Sequence, residues 1–273
     1  MRRHGHGLNS ATWMVATDTD VWIAKAVPVS AAAQFTAGLS VAAYLEAAGL
    51  RAGTPRPTAT GSLSAAIADA QVAVLPFIAG RAIDPTNPGE QQIWGATLGR
   101  AHRILRSAAR PDGVMDWHWV DVTAAHLDVE PWVCPAVREA VLEMSAVQQR
   151  LPLTTGLLHA DPGPSSFLVD ASGQVAVIDW GAVTWGPLLY DVASVAGLLG
   201  DDTAFHRFLS GYLSAAPLPE EELTALPTLV RFRWAVQADY FARRIWTHDS
   251  TGIADLTGNE QGLAEARRHL LGS

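Results

Sequence analysis

The segment TGLLHADPGPSSFLVDASGQVAVIDWGAVTWGPLLYD, residues 155–191, decides the fold. It contains three short apolar runs, at 156–158, 167–169 and 175–178. The linker at 170–173 begins with Asp and ends with Gly, which is the preference of a type I turn between two strands. The pattern therefore predicts a strand followed by a hairpin of two further strands.

Two aspartates follow these extended runs. The first run ends in His159-Ala160-Asp161, and the third ends in Asp179-Trp180-Gly181. The hairpin between them can fold the two carboxylates face to face. Such a pair suits phosphoryl transfer, because one carboxylate accepts the proton of the attacking hydroxyl and the other holds the metal that bridges the phosphates. A plain hairpin with turn-forming aspartates is the alternative interpretation.

Together the two motifs resemble those of the aminoglycoside phosphotransferase family of small-molecule kinases, which has the protein-kinase-like fold. In that family a His-Gly-Asp motif carries the base, an Asn five residues later binds metal, and Asp-Trp-Gly or Asp-Phe-Gly supplies the second metal ligand. The resemblance implies that Asp161 is the catalytic base and that Asp179 and Ser166 are the metal ligands. It also implies ATP and Mg²⁺ as cofactors and a small-molecule hydroxyl as the phosphate acceptor.

Lys25 is the only lysine among nineteen basic residues, the rest being arginine. A composition so biased toward Arg loses Lys wherever the two are interchangeable, and a compact ammonium is not interchangeable with a planar guanidinium at every site. Lys25 lies in an apolar run at 21–27 and matches the lysine that binds the ATP phosphates in kinases. The alternative is a surface lysine whose stem covers a strand edge.

The first part of the chain is predicted to be mostly stranded, with strands at 12–16, 21–27, 62–67 and 72–75. A helix is predicted from an N-cap at Ser30 to about residue 48, where Gly49 ends it. In the family this helix carries a Glu that pairs with the strand lysine. Here Gly38 takes that position, and Glu46, eight residues later, is a doubtful substitute.

Residues 72–80 pass from a strand into a loop that corresponds to the family's hinge, whose backbone binds the adenine ring. The resemblance assigns Leu75, Phe77 and Ile78 to nucleotide binding. It implies an N-terminal nucleotide-binding lobe at 1–79 and a C-terminal catalytic and substrate lobe at 80–273. The predicted fold is therefore α+β and two-lobed, with helices in the second lobe at 90–109, 135–150, 188–199, 203–213, 220–246 and 263–271.

Composition limits the compartment and the partners of this 273-residue chain. Its net charge of −8 argues against nucleic acid as a partner, since phosphate backbones require a basic surface. Cys134 is the only cysteine, and no apolar signal region follows the charged start. The most apolar long stretch, 31–50, is interrupted by polar residues, so no membrane span is predicted. We expect a cytoplasmic protein, and its oligomeric state is not indicated.

Two departures from the family pattern, Ser166 for Asn and Gly38 for Glu, leave a second interpretation open. This is a degenerate kinase fold that binds nucleotide or a partner without catalysis. The resemblance does not select aminoglycosides over other hydroxylated natural products. Acidic residues of the late helices are candidates for binding a cationic acceptor: Asp201, Asp202, Asp239, Asp249 and Asp255. An apolar acceptor pocket is also open, with candidate tryptophans at 117, 119, 132 and 185. We expect Asp191 and His159 to brace the catalytic loop.

Overall fold

The computed structural model describes residues 2–3, 9–117, 120–253 and 257–272. Trp119 and Asp255 lie outside these ranges. The strands are β1 (Arg2–Arg3), β2 (Ala11–Ala16), β3 (Val21–Pro28), β4 (Ala65–Ile67), β5 (Ala70–Pro76), β6 (Arg81–Ala82), β7 (Met115–Asp116), β8 (Thr155–Leu158), β9 (Phe167–Val169), β10 (Val175–Val177) and β11 (Thr184–Pro187). The helices are α1 (Ala32–Ala47), α2 (Pro88–Leu105), α3 (Val133–Arg150), α4 (Leu189–Leu199), α5 (Asp202–Ala215), α6 (Glu220–Leu223), α7 (Leu226–Trp246) and α8 (Thr257–Leu271). Over the described ranges no helix is long and apolar enough to span a bilayer.

Five strands form the first sheet, in the order β1-β2-β3-β5-β4. Strand β3 pairs with β2 on one side and with β5 on the other, which places Lys25 opposite Thr12 and Ala73. Apolar side chains from α1 and this sheet form a small core: Val27, Phe35, Leu39 and Ala73. Mostly stranded structure up to Pro76 and mostly helical structure after it confirm the predicted two-lobed α+β fold.

The second sheet has the order β10-β9-β6. Strands β9 and β10 form the predicted hairpin, with Phe167 opposite Val177. Asp170 closes the turn by accepting hydrogen bonds from the amides of Ser172 and Gln174 at 2.9 and 3.0 Å. Gly173 has a φ of 82°, a conformation that glycine adopts without steric cost. The hairpin therefore connects the loop that follows β8 to the segment that begins at Asp179.

The helical part is built around close packing of α2 against α5. A Cβ at Gly95 would lie 1.9 Å from the carbonyl oxygen of Phe208, so only glycine permits this approach. Beside this contact, Trp94 and Phe208 pack edge to face with centroids 5.4 Å apart. The packing matters for function because it fixes His102 of α2 and Tyr212 of α5, which are hydrogen-bonded to each other below the candidate site.

Two local predictions are wrong. Ser30 does not cap α1; a turn of 3₁₀-helix at Val29–Ala31 leads into the helix, and no side chain caps its first residue. The helix predicted over 220–246 is two helices, α6 and α7, which break at Thr224 and Ala225. Pro227 lies in the first turn of α7, where its missing N–H is not needed, whereas inside a continuous helix it would remove a hydrogen bond.

Candidate active site

The first candidate motif forms a loop at the end of β8. Ala160 has a φ of 66°, a left-handed conformation that costs an L-residue roughly 1–2 kcal/mol. This is the position at which the resembling family has glycine. The side chain of Asp161, the next residue, is 71% exposed and is thus accessible to a substrate.

A buried carboxylate holds this strained loop. Asp191, at the start of α4, accepts hydrogen bonds from the amides of His159 and Ala160 at 2.7 and 2.8 Å. The ring Nε2 of His102 lies 3.0 Å from the same carboxylate, and His102 Nδ1 lies 2.8 Å from the hydroxyl of Tyr212. All these groups are buried, so the carboxylate replaces the water that the loop amides lose. Asp191 braces the loop, as expected.

His159 links the loop to the end of β10. Its Nδ1 accepts a hydrogen bond from the amide of Asp161 at 3.3 Å, and its Nε2 donates to the carbonyl oxygen of Ile178 at 2.8 Å. The ring is fully buried and lies 4.7 Å, centroid to centroid, from Trp180. Both ring nitrogens are therefore engaged with the main chain, which makes His159 a structural residue. It joins the segment of Asp161 to the residue preceding Asp179.

Asp179 follows β10 and faces the first sheet. It has a φ of 65° and precedes a 3₁₀ turn at Trp180–Ala182. Its carboxylate forms an ion pair and hydrogen bond with the ammonium of Lys25. Desolvation raises the pKa of Asp179, but the charge of Lys25 and its hydrogen bond outweigh it, so the pKa lies below its usual value. Lys25 and Asp179, which the sequence predicts to bind phosphate and metal, thus contact each other.

Helix α1 does not supply a partner for Lys25. Gly38 packs against the 3₁₀ turn so closely that a Cβ there would lie 2.2 Å from the carbonyl oxygen of Trp180. Glu46 is turned elsewhere, since it accepts hydrogen bonds from the amides of Thr54 and Ala52 at 2.8 and 3.3 Å. Asp179 is thus the carboxylate paired with Lys25 within the described ranges.

Ser166 lies between the two motifs and is 6% exposed. Its hydroxyl donates to the carbonyl oxygen of Asp161 at 3.3 Å, and its own carbonyl oxygen accepts from the amide of Ile178 at 2.8 Å. Ser166 therefore ties the loop that carries Asp161 to the end of the hairpin. The metal-ligand role of Ser166 stays a prediction.

A cavity of about 220 Å³ lies between the first sheet, α1 and the hairpin. Five of the residues assigned from the sequence line it: Lys25, Leu75, Phe77, Ile78 and Asp179. Its walls are mostly apolar, which suits a planar base, while Lys25 and Asp179 supply the charges at one side. The amide of Phe77 donates to the carbonyl oxygen of Val21 at 3.1 Å, so this amide belongs to the sheet and does not face a ligand.

Most acids suggested for a cationic acceptor are engaged within the protein. Asp239 pairs with His126 at 2.7 Å, and Asp249 with Arg244 at 2.9 Å. Asp201 caps α5 through the amide of Ala204.

Three of the four tryptophans suggested for an apolar acceptor pocket lie in the described ranges, where they pack in or against the main core. Trp117 is buried in the main core, and Trp132 and Trp185 pack against it while staying partly exposed.

Arg233 is a site residue that sequence reasoning missed. It lies on α7 with its Nη2 3.8 Å from Oδ1 of Asp161. Arg231 and Arg233 are two positions apart and so do not face the same side of a helix, but this spacing assigns neither residue to a site.

Over residues 1–224 the chain matches the sequence model of the Phosphotransferase enzyme family. It belongs to that family. A homoserine kinase of Methylobacillus flagellatus is 25% identical over 236 residues, which cover 82% of this chain and 73% of the relative. A homoserine kinase of Gluconobacter oxydans is 26% identical over 245 residues, which cover 84% of this chain and 76% of the relative.

Solved structures of other kinases share the fold of this chain. A microcompartment-associated aminopropanol kinase has a TM-score of 0.78 at 18% identity, covering 98% of this chain and 89% of that chain. An amicoumacin kinase in complex with AMP-PNP, Ca²⁺ and Ami has a TM-score of 0.75 at 17% identity, covering 96% and 85%. The resemblance to aminoglycoside phosphotransferases and the protein-kinase-like fold are both confirmed.

The residues present fit a magnesium ion that is held jointly with a nucleotide. The described ranges contain no cluster of three His, Cys, Asp or Glu side chains able to hold a metal alone. Mg²⁺ in kinases needs no such cluster, since it keeps several waters and binds one or two carboxylates together with substrate phosphates. Asp179, whose side chain is 58% exposed, is the carboxylate placed to do this.

Proposed function

We propose that this member of the phosphotransferase family transfers the γ-phosphate of ATP, with Mg²⁺, to a hydroxyl group of a small molecule. The observation that carries the proposal is the linkage of Asp161, Asp179 and Lys25. The hydrogen bond from His159 to Ile178 ties the two aspartate segments together, and the ammonium of Lys25 meets Asp179 from the opposite sheet. Phosphoryl transfer needs this combination of a base, a metal-binding carboxylate and a phosphate-binding cation.

Each residue has a distinct proposed role. Asp161, exposed at the end of its strained loop, orients the acceptor hydroxyl and takes its proton. Lys25 neutralises charge on the phosphates that are not transferred, and Asp179 holds the Mg²⁺, with Ser166 as its second protein ligand. The metal, when bound, neutralises charge that develops on the phosphate oxygens. For Ser166 to reach a metal, its hydroxyl must leave the carbonyl oxygen of Asp161.

The nucleotide base is proposed to bind beside Leu75, Phe77 and Ile78. The amide of Phe77 faces β3, whereas the carbonyl of Val74 faces the opposite side and accepts a hydrogen bond from the amide of Arg56. Along β5 the backbone amides and carbonyls of successive residues therefore point alternately toward β3 and away from it. The carbonyl of Pro76 and the amide of Ile78 continue the series that faces away from β3. We therefore infer that these two groups hydrogen-bond the base, while the Phe77 side chain contributes apolar contact.

The acceptor is proposed to be a small alcohol. Two homoserine kinases are relatives that align over most of this chain, and an aminopropanol kinase shares its fold. Homoserine, amino alcohols and hydroxylated natural products of the aminoglycoside type are therefore the acceptors to examine first.

A second candidate function is nucleotide or partner binding without catalysis. Two observations favour it: the Ser166 hydroxyl is directed at the main chain of Asp161, and Lys25 is paired with Asp179 rather than with a carboxylate from α1. In this alternative the cleft binds nucleotide but no acceptor is phosphorylated.

A screen for ATP- and Mg²⁺-dependent phosphorylation over a library of hydroxylated compounds separates the two functions. The proposal expects at least one phosphorylated product, and expects Lys25→Met to lower kcat/KM at least about a hundredfold. Lys25→Arg is the matched control for charge and should not restore activity, because the planar guanidinium differs from a compact ammonium. Nucleotide binding with no product from any acceptor would support the degenerate alternative. Failure to bind nucleotide would contradict the proposed transfer and the nucleotide-binding form of the alternative.

A further inference from the structure

Arg233 carries a guanidinium that has no hydrogen-bond partner among the described residues. Its side chain is only 20% exposed, and its one charged neighbour, Asp161, lies 3.8 Å away, beyond hydrogen-bond length. Arg231, two residues earlier, differs because it pairs with Glu139 and Glu143 at 2.6 and 2.8 Å. A guanidinium presents five N–H donors, and those of Arg233 are left to solvent or to a ligand. Arg233 is thus prepared to bind a group that the protein does not supply.

The same region contains a second unsatisfied polar group. The hydroxyl of Tyr190 is buried without a hydrogen-bond partner within the described ranges. Burial raises the pKa of Tyr190, and the charges of Arg233 and Asp161 both act on it, so the three groups lie within electrostatic range. The Tyr190 ring packs against Phe232, the residue before Arg233, with centroids 6.3 Å apart. The guanidinium of Arg233 and the hydroxyl of Tyr190 therefore both lack a hydrogen-bond partner within the described ranges.

We propose that Arg233 binds a carboxylate of the phosphate acceptor, so that the substrate is a small hydroxy acid or hydroxy amino acid. This inference rests on the proposed function, because it takes Asp161 as the group that receives the acceptor hydroxyl. A polycationic alcohol would meet a like charge 3.8 Å from that group. A carboxylate instead matches the two parallel N–H groups of the guanidinium fork.

The distance between the two groups limits the length of the acceptor. Nη2 of Arg233 lies 3.8 Å from Oδ1 of Asp161, and each hydrogen bond to the acceptor adds about 2.8 Å. The hydroxyl and carboxylate oxygens of the acceptor are therefore separated by at most about 9.4 Å. A hydroxy acid with a backbone of three to five carbons satisfies this limit.

The test compares acceptors that differ only in the charge of one group. L-Homoserine and 4-hydroxybutanoate are each paired with the corresponding carboxamide, and kcat/KM is measured with ATP and Mg²⁺. Equilibrium binding of the same four compounds is measured by calorimetry in the presence of a non-hydrolysable ATP analogue. We expect the wild type to prefer a carboxylate over its amide by about tenfold to a hundredfold, the range of a charge-assisted hydrogen bond.

The Arg233→Met variant removes the charge and keeps an apolar stem of similar length. It should reduce the preference for the carboxylate to within about threefold while nucleotide affinity stays unchanged. Arg231→Met, on the same helix but paired with α3, is the matched control and should retain the preference. Thermal unfolding of both variants checks that each is folded.

The outcomes separate this inference from the proposed function. Phosphorylation without preference for the carboxylate, or a preference that survives Arg233→Met, overturns the role of Arg233 and leaves the kinase activity standing. Carboxylate binding that depends on Arg233 but is followed by no phosphate transfer supports the inference and contradicts the proposed activity. If neither carboxylate binds nor reacts, the inference is overturned.

Discussion

Gly38 of α1 and Trp180 of the turn after Asp179 are in direct main-chain contact. A Cβ at Gly38 would lie 2.2 Å from the carbonyl oxygen of Trp180 and 2.9 Å from its carbonyl carbon. No side chain fits there, so the glutamate that the family has at this position is excluded by the packing of α1. The contact instead supports the turn that presents Asp179 to Lys25. The departure from the family pattern is therefore part of the architecture of this cleft.

The first prediction concerns this contact. Gly38→Ala should destabilise the protein by about 1–3 kcal/mol, because an added methyl group in a well-packed site forces the backbone apart. Phosphate transfer should fall as well, since the displaced turn carries Asp179. Urea unfolding and steady-state kinetics measure the two effects. Gly89→Ala in α2 is the control, because its Cβ would meet only the Asn87 side chain at 3.4 Å, and it should be neutral or slightly stabilising. Equal stability of the two variants would contradict the importance of the contact.

The second prediction concerns the left-handed residue in the catalytic loop. Ala160→Gly removes a strain of roughly 1–2 kcal/mol, which offsets the greater freedom that glycine has in the unfolded chain. The free energy of unfolding should therefore stay the same or rise by up to about 1 kcal/mol. Ala140→Gly, in the buried middle of α3, makes the same chemical change without relief of strain and should cost about 1 kcal/mol or more. A similar loss in both variants would show that Ala160 is unstrained.

The third prediction concerns the buried carboxylate that holds the loop. Asp191→Ala leaves the amides of His159 and Ala160 without an acceptor in a fully buried site. The loss should be about 3–5 kcal/mol, as for other broken buried charge networks. Asp191→Asn keeps one acceptor oxygen and should unfold at an intermediate denaturant concentration. In this folded variant kcat should fall while the affinity for ATP is retained, because the loop does not line the nucleotide cavity.

Asp170→Ala is the matched control for Asp191. Asp170 also accepts hydrogen bonds from two amides, but at the partly exposed tip of the hairpin. Its removal should cost about 1 kcal/mol, as for an ordinary turn or capping hydrogen bond, and should leave phosphate transfer intact. If Asp191→Ala were no more destabilising than Asp170→Ala, the bracing role would be wrong.

The fourth prediction concerns acid stability. A hydrogen bond from Arg81 and another from the amide of Asp84 lower the pKa of Glu90 to about 2. Folding therefore favours the ionised form, so the stabilisation is present above the ordinary pKa near 4.5 and is lost as the pH falls through about 2. Glu90→Gln should unfold at lower urea concentration than the wild type at pH 6, and the difference should shrink as the pH approaches 2. A difference that does not vary with pH would contradict the ion pair between β6 and α2.

The parts of the site that were predictable from the sequence are those set by local pattern. The turn from Asp170 to Gly173 fixed the hairpin, and the rarity of lysine marked Lys25 in its strand. The turn signal lies within four residues and the lysine signal is a count over the chain, so one sequence suffices to find both. The meeting of Lys25 with Asp179 followed only from the family resemblance, because no local pattern encodes a contact between two separate sheets.

Other features escaped because their causes are tertiary. Strand β6 has two residues, too few for a period-two pattern, and exists because Ala82 pairs with Leu168 of β9. The break between α6 and α7 is not evident from the periodicity of 220–246, and Pro227 is the one local sign of it, since proline is tolerated in the first turn of a helix. Arg233 lies near Asp161 only because of the way α7 packs, and no pattern near either residue in the sequence predicts this proximity.

Transfer of labelled γ-phosphate from ATP to an acceptor tests the proposed phosphotransferase activity directly when it is measured for the wild type and for Asp161→Asn, with and without Mg²⁺. We expect a phosphorylated alcohol that forms only with Mg²⁺. In the variant the rate should fall by about a hundredfold to ten-thousandfold while nucleotide binding is unchanged. An acceptor phosphorylated equally well by Asp161→Asn, or a wild type that binds ATP and phosphorylates no alcohol, would contradict this expectation.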